Sequence, residues 1–248
     1  MFKNDDESHK HSLTVLNGLY EYDDFMMSIN RVIDLGCGSG KDMLWWVTRT
    51  TRDEPPLPLD IKCHGIDLFD ILPAAKHSLS ITYEKLDFEN TATLNGKFDI
   101  LWSHDAFQYA IDPITTLTNW RKIAAPGAML VLTVPQTVNL HHKEVDISQQ
   151  DGCYHHYTIV SLLHMLALTG WDCRSGFFKK VPNEPWIYAV VYNSEQPARD
   201  AKTTRWYDLA ESNLLPESAV KSINATGYLH QKDLVLPWLD KSLGLFNI

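Results

Sequence analysis

The 248-residue chain has few cysteines, no long apolar run and no basic stripe. Its four cysteines (Cys37, Cys63, Cys153 and Cys173) are widely scattered and make no C-x-x-C pair, which argues for free thiols in a reduced, cytoplasmic setting. No stretch approaches the roughly 20 apolar residues of a membrane span, so no membrane partner is expected. The opening residues, Met1-Phe2-Lys3-Asn4-Asp5-Asp6-Glu7, are polar and acidic and lack the pattern of a secretory signal. Net charge is −9, and the densest basic spots, Lys179-Lys180 and Arg199 to Arg205, are short; this balance argues against a nucleic-acid partner. Repeats and low-complexity tracts are absent. The hydrophobic content of 44% and charged content of 21% are ordinary for a globular chain, and the length suits one α/β domain with appendages.

What is present is a glycine turn. Asp34-Leu35-Gly36-Cys37-Gly38-Ser39-Gly40 follows the apolar run Arg31-Val32-Ile33 and leads into Met43-Leu44-Trp45-Trp46-Val47. That order predicts a strand, a tight turn and a helix start, the arrangement by which open α/β sheets hold nucleotide-like ligands at their carboxyl edge. A phosphate-binding P-loop does not fit, because the upstream glycine is one residue late and Asp42 stands where Ser or Thr is needed. The dinucleotide pattern G-x-G-x-x-G fails at Lys41. The remaining pattern, D-x-G-x-G-x-G, places an acid two residues before the first glycine. A carboxylate there repels a pyrophosphate and favours a ligand carrying an ammonium and a sulfonium, which selects S-adenosyl-L-methionine over NAD or ATP.

The segment Val32 to Gly40 resembles the first motif of the class I, Rossmann-like, S-adenosylmethionine-dependent methyltransferases. Later segments follow in the family's order. Ile61 to Leu68 reads as a second strand ending in Asp67, placed to accept ribose hydroxyls; the turn-rich Thr50 to Pro58 accounts for its distance from the glycines. Ser80 to Phe88 reads as a third strand ending in Asp87-Phe88, which the resemblance assigns to the adenine amino group and ring. Lys97 to Ser103 is a fourth strand, followed by His104 to Tyr109 and a helix start at Asp112-Pro113; Ala125 to Pro135 is a turn and a fifth strand. Ala128 departs from the family's second glycine in this turn. The likeness spans residues 31 to 194 and implies a Rossmann-like three-layer α/β sandwich, its mostly parallel sheet of about seven strands closed by an antiparallel last strand. Implied cofactor contacts are Asp34, Gly36, Cys37, Gly38, Gly40, Asp67, Leu68, Asp87, Phe88 and Ser103.

Outside that frame, His9 to Ile29 reads as an amphipathic helix through Leu13, Leu16, Leu19 and Tyr20, making residues 1–30 a helical cap. Gln136 to Tyr157 is polar and irregular and reads as a long loop or lid. Thr158 to Leu168 is helical and ends at Gly170, and the β-rich runs Trp171 to Phe178 and Trp186 to Tyr192 complete the sheet, the second centrally. Residues 195–248 form an extension with helical stretches at Asp200 to Ser212, Pro216 to Asn224 and Gln231 to Leu243. Its Trp206, Tyr207, Tyr228 and Trp238 carry enough aromatic area to dock on the domain or to form a homodimer, and both readings stand.

A base is needed only if the acceptor is a hydroxyl or an ammonium. The candidates are His104 and Asp105, just past the fourth strand, and His155 on the lid; Tyr109 stands where many family members carry histidine. A metal held by Cys153, His155, His156 and His141 matches no zinc spacing of known mechanics, so none is expected. The Asp/Asn-Pro-Pro-aromatic segment of amino-methylating DNA enzymes and the Pro-Cys of cytosine-C5 enzymes are both missing. The sequence thus leads to a methyltransferase with a small-molecule or sugar acceptor, with a non-catalytic module of the same fold as the alternative.

Overall fold

The computed structural model describes residues 5–20, 23–71, 73–135, 154–180 and 186–229. Among these, seven strands form one sheet: β1 (Arg31–Leu35), β2 (Lys62–Asp67), β3 (Ile81–Lys85), β4 (Phe98–His104), β5 (Ala124–Pro135), β6 (Trp171–Lys180) and β7 (Trp186–Asn193). Their spatial order is β3-β2-β1-β4-β5-β7-β6. The first five strands pair in parallel, and β7 runs antiparallel to both of its neighbours, β5 and β6. The order reverses between β1 and β4, so the crevice for a ligand lies beyond the carboxyl ends of those two strands.

Strict alternation along the central strands builds two cores. On β4, Leu101 faces one core while Ile100 and Trp102 face the other; on β5, Leu130, Leu132 and Val134 oppose Met129 and Val131. Ile187 to Val191 of β7 are buried on both faces, which explains why that run is almost wholly apolar. The Leu101 face is covered by α5 (Pro113–Ile123) and α6 (Ile159–Leu168), the Trp102 face by α1 (Asp5–Tyr20), α2 (Asp23–Ser28), α3 (Lys41–Val47) and α4 (Pro73–Lys76). Local chemistry sets the helix ends. The Asp112 carboxylate accepts the Thr115 amide at 3.0 Å with Pro113 opening α5, and Thr158 and Ser161 cap the start of α6 reciprocally.

Three elements differ from the sequence reading or refine it. In the cap, the described residues form helices α1 and α2. The turn expected at Ala125-Pro126-Gly127 lies inside β5 as a bulge: Ala124 pairs with Phe98, the register slips, and pairing resumes at Ile100 and Met129. Proline has no amide to donate and Gly127 sits at φ +71, so these residues leave the ladder without ending the strand. The extension docks on its own domain: α7 (Trp206–Ala210) and α8 (Glu217–Thr226), with the segment between them, place Leu209, Leu214, Leu215, Ala219 and Ile223 in the core shared by α5 and α6. The third expected helix, Gln231 to Leu243, lies outside the described residues, as do Gln136 to Cys153 of the expected lid. No helix among the described residues is long and apolar enough to cross a membrane.

One side chain ties the extension to the sheet. Arg121 of α5 donates to the carbonyls of Thr169 (2.8 Å), Ser194 (2.5 Å) and Gln196 (2.7 Å) and to the side-chain oxygen of Asn193 (3.1 Å). Replacing it by methionine, Arg121→Met, keeps the stem and strips these carbonyls of their donor. The expected loss is about 2–4 kcal/mol in urea unfolding; a change below about 0.5 kcal/mol would mean that the clamp contributes little.

Candidate active site

The glycine turn leaves the carboxyl end of β1 and is pinned to β2. The amides of Gly36 and Cys37 both donate to the Ile66 carbonyl, at 2.9 and 3.1 Å, and the Gly40 amide donates to the Cys37 carbonyl at 2.9 Å. Gly36 has φ +83, and a Cβ there would lie 2.5 Å from Cβ of Ala106 and 3.7 Å from Cδ1 of Phe88. The turn, the loop after β4 and the loop after β3 therefore meet at one point, which only a residue without a side chain can occupy.

Around this point the chain gathers carboxylates. Asp34 is 2% exposed, and its Oδ2 accepts no hydrogen bond among the described residues. Burial first, then the neighbouring Asp42 and Asp67 carboxylates, push its carboxyl well above the usual range. Asp67, at the end of β2, accepts the Gly38 amide on Oδ2 at 2.8 Å and the Phe69 amide on Oδ1 at 3.0 Å. Asp87 accepts the Glu89 amide at 3.0 Å and so caps the short helical segment Phe88–Thr93, which is kinked at Asn90. Phe88 packs edge-on against Trp120, with ring centroids 6.1 Å apart, and its carbonyl accepts from the Trp120 indole at 2.8 Å. Leu68 is half exposed beside Asp67. Ser103 is buried under the turn, its hydroxyl donating to the Leu35 carbonyl at 3.2 Å, and burial pushes the Cys37 thiol up, leaving it protonated.

These residues fit the cofactor class read from the sequence. A buried carboxylate oxygen that lacks a donor, with two further carboxylates acting on it, attracts an ammonium or a sulfonium and repels a pyrophosphate. Asp67 and Asp87 each retain acceptor capacity after their backbone bonds, since an ionised carboxylate offers about four acceptor sites.

The base candidates are His104 and Asp105, at and just past the end of β4, and His155, in the segment before α6. The His104 ring lies between those of Trp102 (6.1 Å, 10°) and Trp186 (6.0 Å, 28°), and burial lowers its pKa to about 4, so it is neutral at pH 7. Asp105 turns the chain at φ +53, its amide donating to the Thr133 carbonyl at 3.1 Å. Its carboxylate accepts from the side chain of Gln108, and the main-chain carbonyl of Gln108 accepts the amides of Tyr154 and His155 at 3.0 and 3.1 Å. Asp105 and His155 are thereby brought to one loop cluster. Among the described residues no group of three or more His, Cys, Asp or Glu is arranged to hold a metal ion.

Sequence reasoning missed Asp42, whose carboxylate joins three elements. Its Oδ1 accepts from His9 and Ser12 of α1, each at 2.6 Å, and its Oδ2 accepts from the Trp102 indole of β4 at 3.0 Å. Read locally, Asp42 served only to exclude a P-loop. Its partners are 33, 30 and 60 positions away, and no periodicity signals them.

A mostly parallel seven-stranded sheet with this strand order and a glycine turn at its switch point is the Rossmann-like fold of the class I methyltransferases. A family model described as a methyltransferase domain matches residues 10–175, more than half of the chain, and the chain belongs to that family. It is 27% identical over 107 residues to the ubiquinone biosynthesis O-methyltransferase of Cereibacter sphaeroides, a stretch covering 41% of this chain and 39% of that relative. Among solved structures, the fold is similar to the 1,6-didemethyltoxoflavin-N1-methyltransferase of Burkholderia thailandensis, which holds S-adenosylhomocysteine (12% identity, TM-score 0.54, 73% of this chain and 79% of that one). A Listeria monocytogenes protein assigned to the S-adenosylmethionine-dependent methyltransferases gives 17% identity and a TM-score of 0.55, over 74% of this chain and 100% of its own.

Folding raises the Asp34 pKa above its unfolded value, so the stability contributed by this group is full at low pH and is lost as pH rises through the raised folded value. Binding of a cation has the opposite pH sense, because it needs the ionised form. Asp34→Asn should therefore raise the stability of the ligand-free protein at pH 7 by about 1–2 kcal/mol. It should also weaken adenosylhomocysteine binding at least tenfold, about 1.4 kcal/mol. Calorimetry across pH checks this: wild-type affinity should climb with pH and the variant's should not.

Proposed function

We propose that the protein transfers a methyl group from S-adenosylmethionine to a small-molecule acceptor. The observation that carries this reading is the buried Asp34 carboxylate, with its unmatched oxygen, beside a glycine turn that tolerates no side chain. Asp34 would hold the ammonium, Asp67 the ribose hydroxyls and Asp87 the adenine amino group, with Leu68 and Phe88 against the ring. The bound cofactor supplies a sulfonium methyl that is already strongly electrophilic. The protein's task is then to align the acceptor with it and to exclude water.

An acceptor of small size is supported by charge and by likeness. The net charge of −9 disfavours a polyanion. The relative named above acts, by its name, in ubiquinone biosynthesis, and the Burkholderia thailandensis enzyme binds 1,6-didemethyltoxoflavin. Asp105, His104 and His155 are the groups of the β4 and lid segments that we assign to the acceptor's side of the cleft. The neutral His104 ring, flanked by indoles, suits packing against an uncharged acceptor better than holding a proton.

Asp67→Ala tests the cofactor assignment. Adenosylhomocysteine affinity should fall by about 30-fold or more, the worth of a bidentate charged hydrogen bond, while the circular dichroism of the sheet is retained. Unchanged affinity would remove Asp67 from the site. Transfer of tritiated methyl from the cofactor into the small-molecule fraction of a cell extract tests the activity itself; tight cofactor binding without any labelled product would defeat it.

A further inference from the structure

The Asp42 carboxylate is bonded on both oxygens, and one of its partners is an imidazole. His9 Nδ1 lies 2.6 Å from Asp42 Oδ1, with the two side chains 24% and 13% exposed. An ionised carboxylate accepts and cannot donate, so Nδ1 carries the proton and the neutral ring keeps its lone pair on Nε2. A carboxylate that fixes the tautomer and aim of a histidine in this way is the arrangement that prepares imidazole as a general base.

The location of the pair fits that role. Asp42 acts electrostatically on Asp34 in the cation cradle, and His9 and His11 act on His104 at the end of β4. The Trp102 indole that donates to Asp42 stacks on His104, and the ring of His11, two residues from His9, lies 5.9 Å from Trp186 on the other side of His104, so contacts link the pair to the end of β4, where the proposed function puts the acceptor. The ionisable groups on which Asp42 acts electrostatically are Asp34 on β1, Cys63 on β2 and His104 on β4, and His9 and His11 of α1 act on His104 as well. Anchoring α1 does not require His9, because Val15, Leu16 and Leu19 bury the helix's apolar side. Ser12 and Trp102 already give Asp42 one donor on each oxygen.

We propose that His9, positioned by Asp42, is the general base for a hydroxyl acceptor, which makes the protein an O-methyltransferase. The proposal rests on the methyltransferase reading above. In the step, the acceptor hydroxyl gives its proton to His9 Nε2 as its oxygen bonds to the methyl carbon. The sulfur–carbon bond breaks with its electron pair staying on sulfur, and the imidazolium then releases the proton to water. Asp42 stabilises the imidazolium and touches no reactant, so it is a positioning residue.

The test uses His9→Gln, whose side-chain amide still donates to Asp42, and Asp42→Asn. Nitrogen chemical shifts of the wild-type protein report which ring nitrogen of neutral His9 holds the proton. The expected result is Nδ1, with that preference lost in Asp42→Asn; a wild-type proton on Nε2 overturns the proposal whatever the activity. With tritiated S-adenosylmethionine and the small-molecule fraction of a cell extract, His9→Gln should transfer methyl about 100-fold more slowly at pH 7. Part of that loss should be recovered at pH 9, where hydroxyls ionise unaided, and adenosylhomocysteine affinity should stay within about twofold of wild type. Transfer by His9→Gln at the wild-type rate overturns the base. A wild-type protein that transfers nothing defeats the methyltransferase reading itself, and the tautomer measurement then decides the His9–Asp42 pair on its own.

Discussion

Asp34 sits at the carboxyl end of a central strand with 2% of its surface exposed, and holding a carboxylate there costs free energy that folding does not return. The surroundings increase the cost, since Asp42 and Asp67 both act on it with like charge. On the function proposed here, the three carboxylates around this turn serve a cation. The turn's attachment to Ile66 and the Gly36–Ala106 approach hold the three strand ends around that charge. The parallel sheet supplies the rigid base on which these loops stand.

The parts of the fold that were legible in the sequence are those where local chemistry and burial agree. The strands of the sheet read correctly because their apolar alternation or continuity reports the number of buried faces, most clearly in Trp186 to Tyr192. Helix α5 reads correctly because Asp112-Pro113 is both cap and first turn. The β5 bulge was misread as a turn, since Pro126-Gly127 has the same signature in either setting and only pairing with Phe98 distinguishes them. The docking of α7 and α8 stayed open for a related reason: apolar residues report burial and not the surface against which they are buried.

The candidate site divides in the same way. The positions of Asp34, the glycine turn, Asp67 and Asp87 in the fold were legible because each lies at or just past the end of a strand, and strand order converts sequence position into place along the rim. Ser103 was identified by that logic too, and its hydroxyl serves the Leu35 carbonyl within the sheet. His9, Ser12, Asp42, Trp102 and Trp186 come from a helix outside the minimal fold, a helix start and two strand ends. No spacing rule unites them, because their meeting depends on how α1 lies across α3.

The approach of Gly36 to Ala106 also bears on how this chain can change over evolutionary time. The two positions are far apart in sequence, yet a single extra methyl at the first would overlap the methyl already present at the second. Enlarging Ala106 would crowd the same space from the other side. They are therefore expected to drift as a pair, with bulk gained at neither, and divergent copies that break this pairing should have abandoned the cleft.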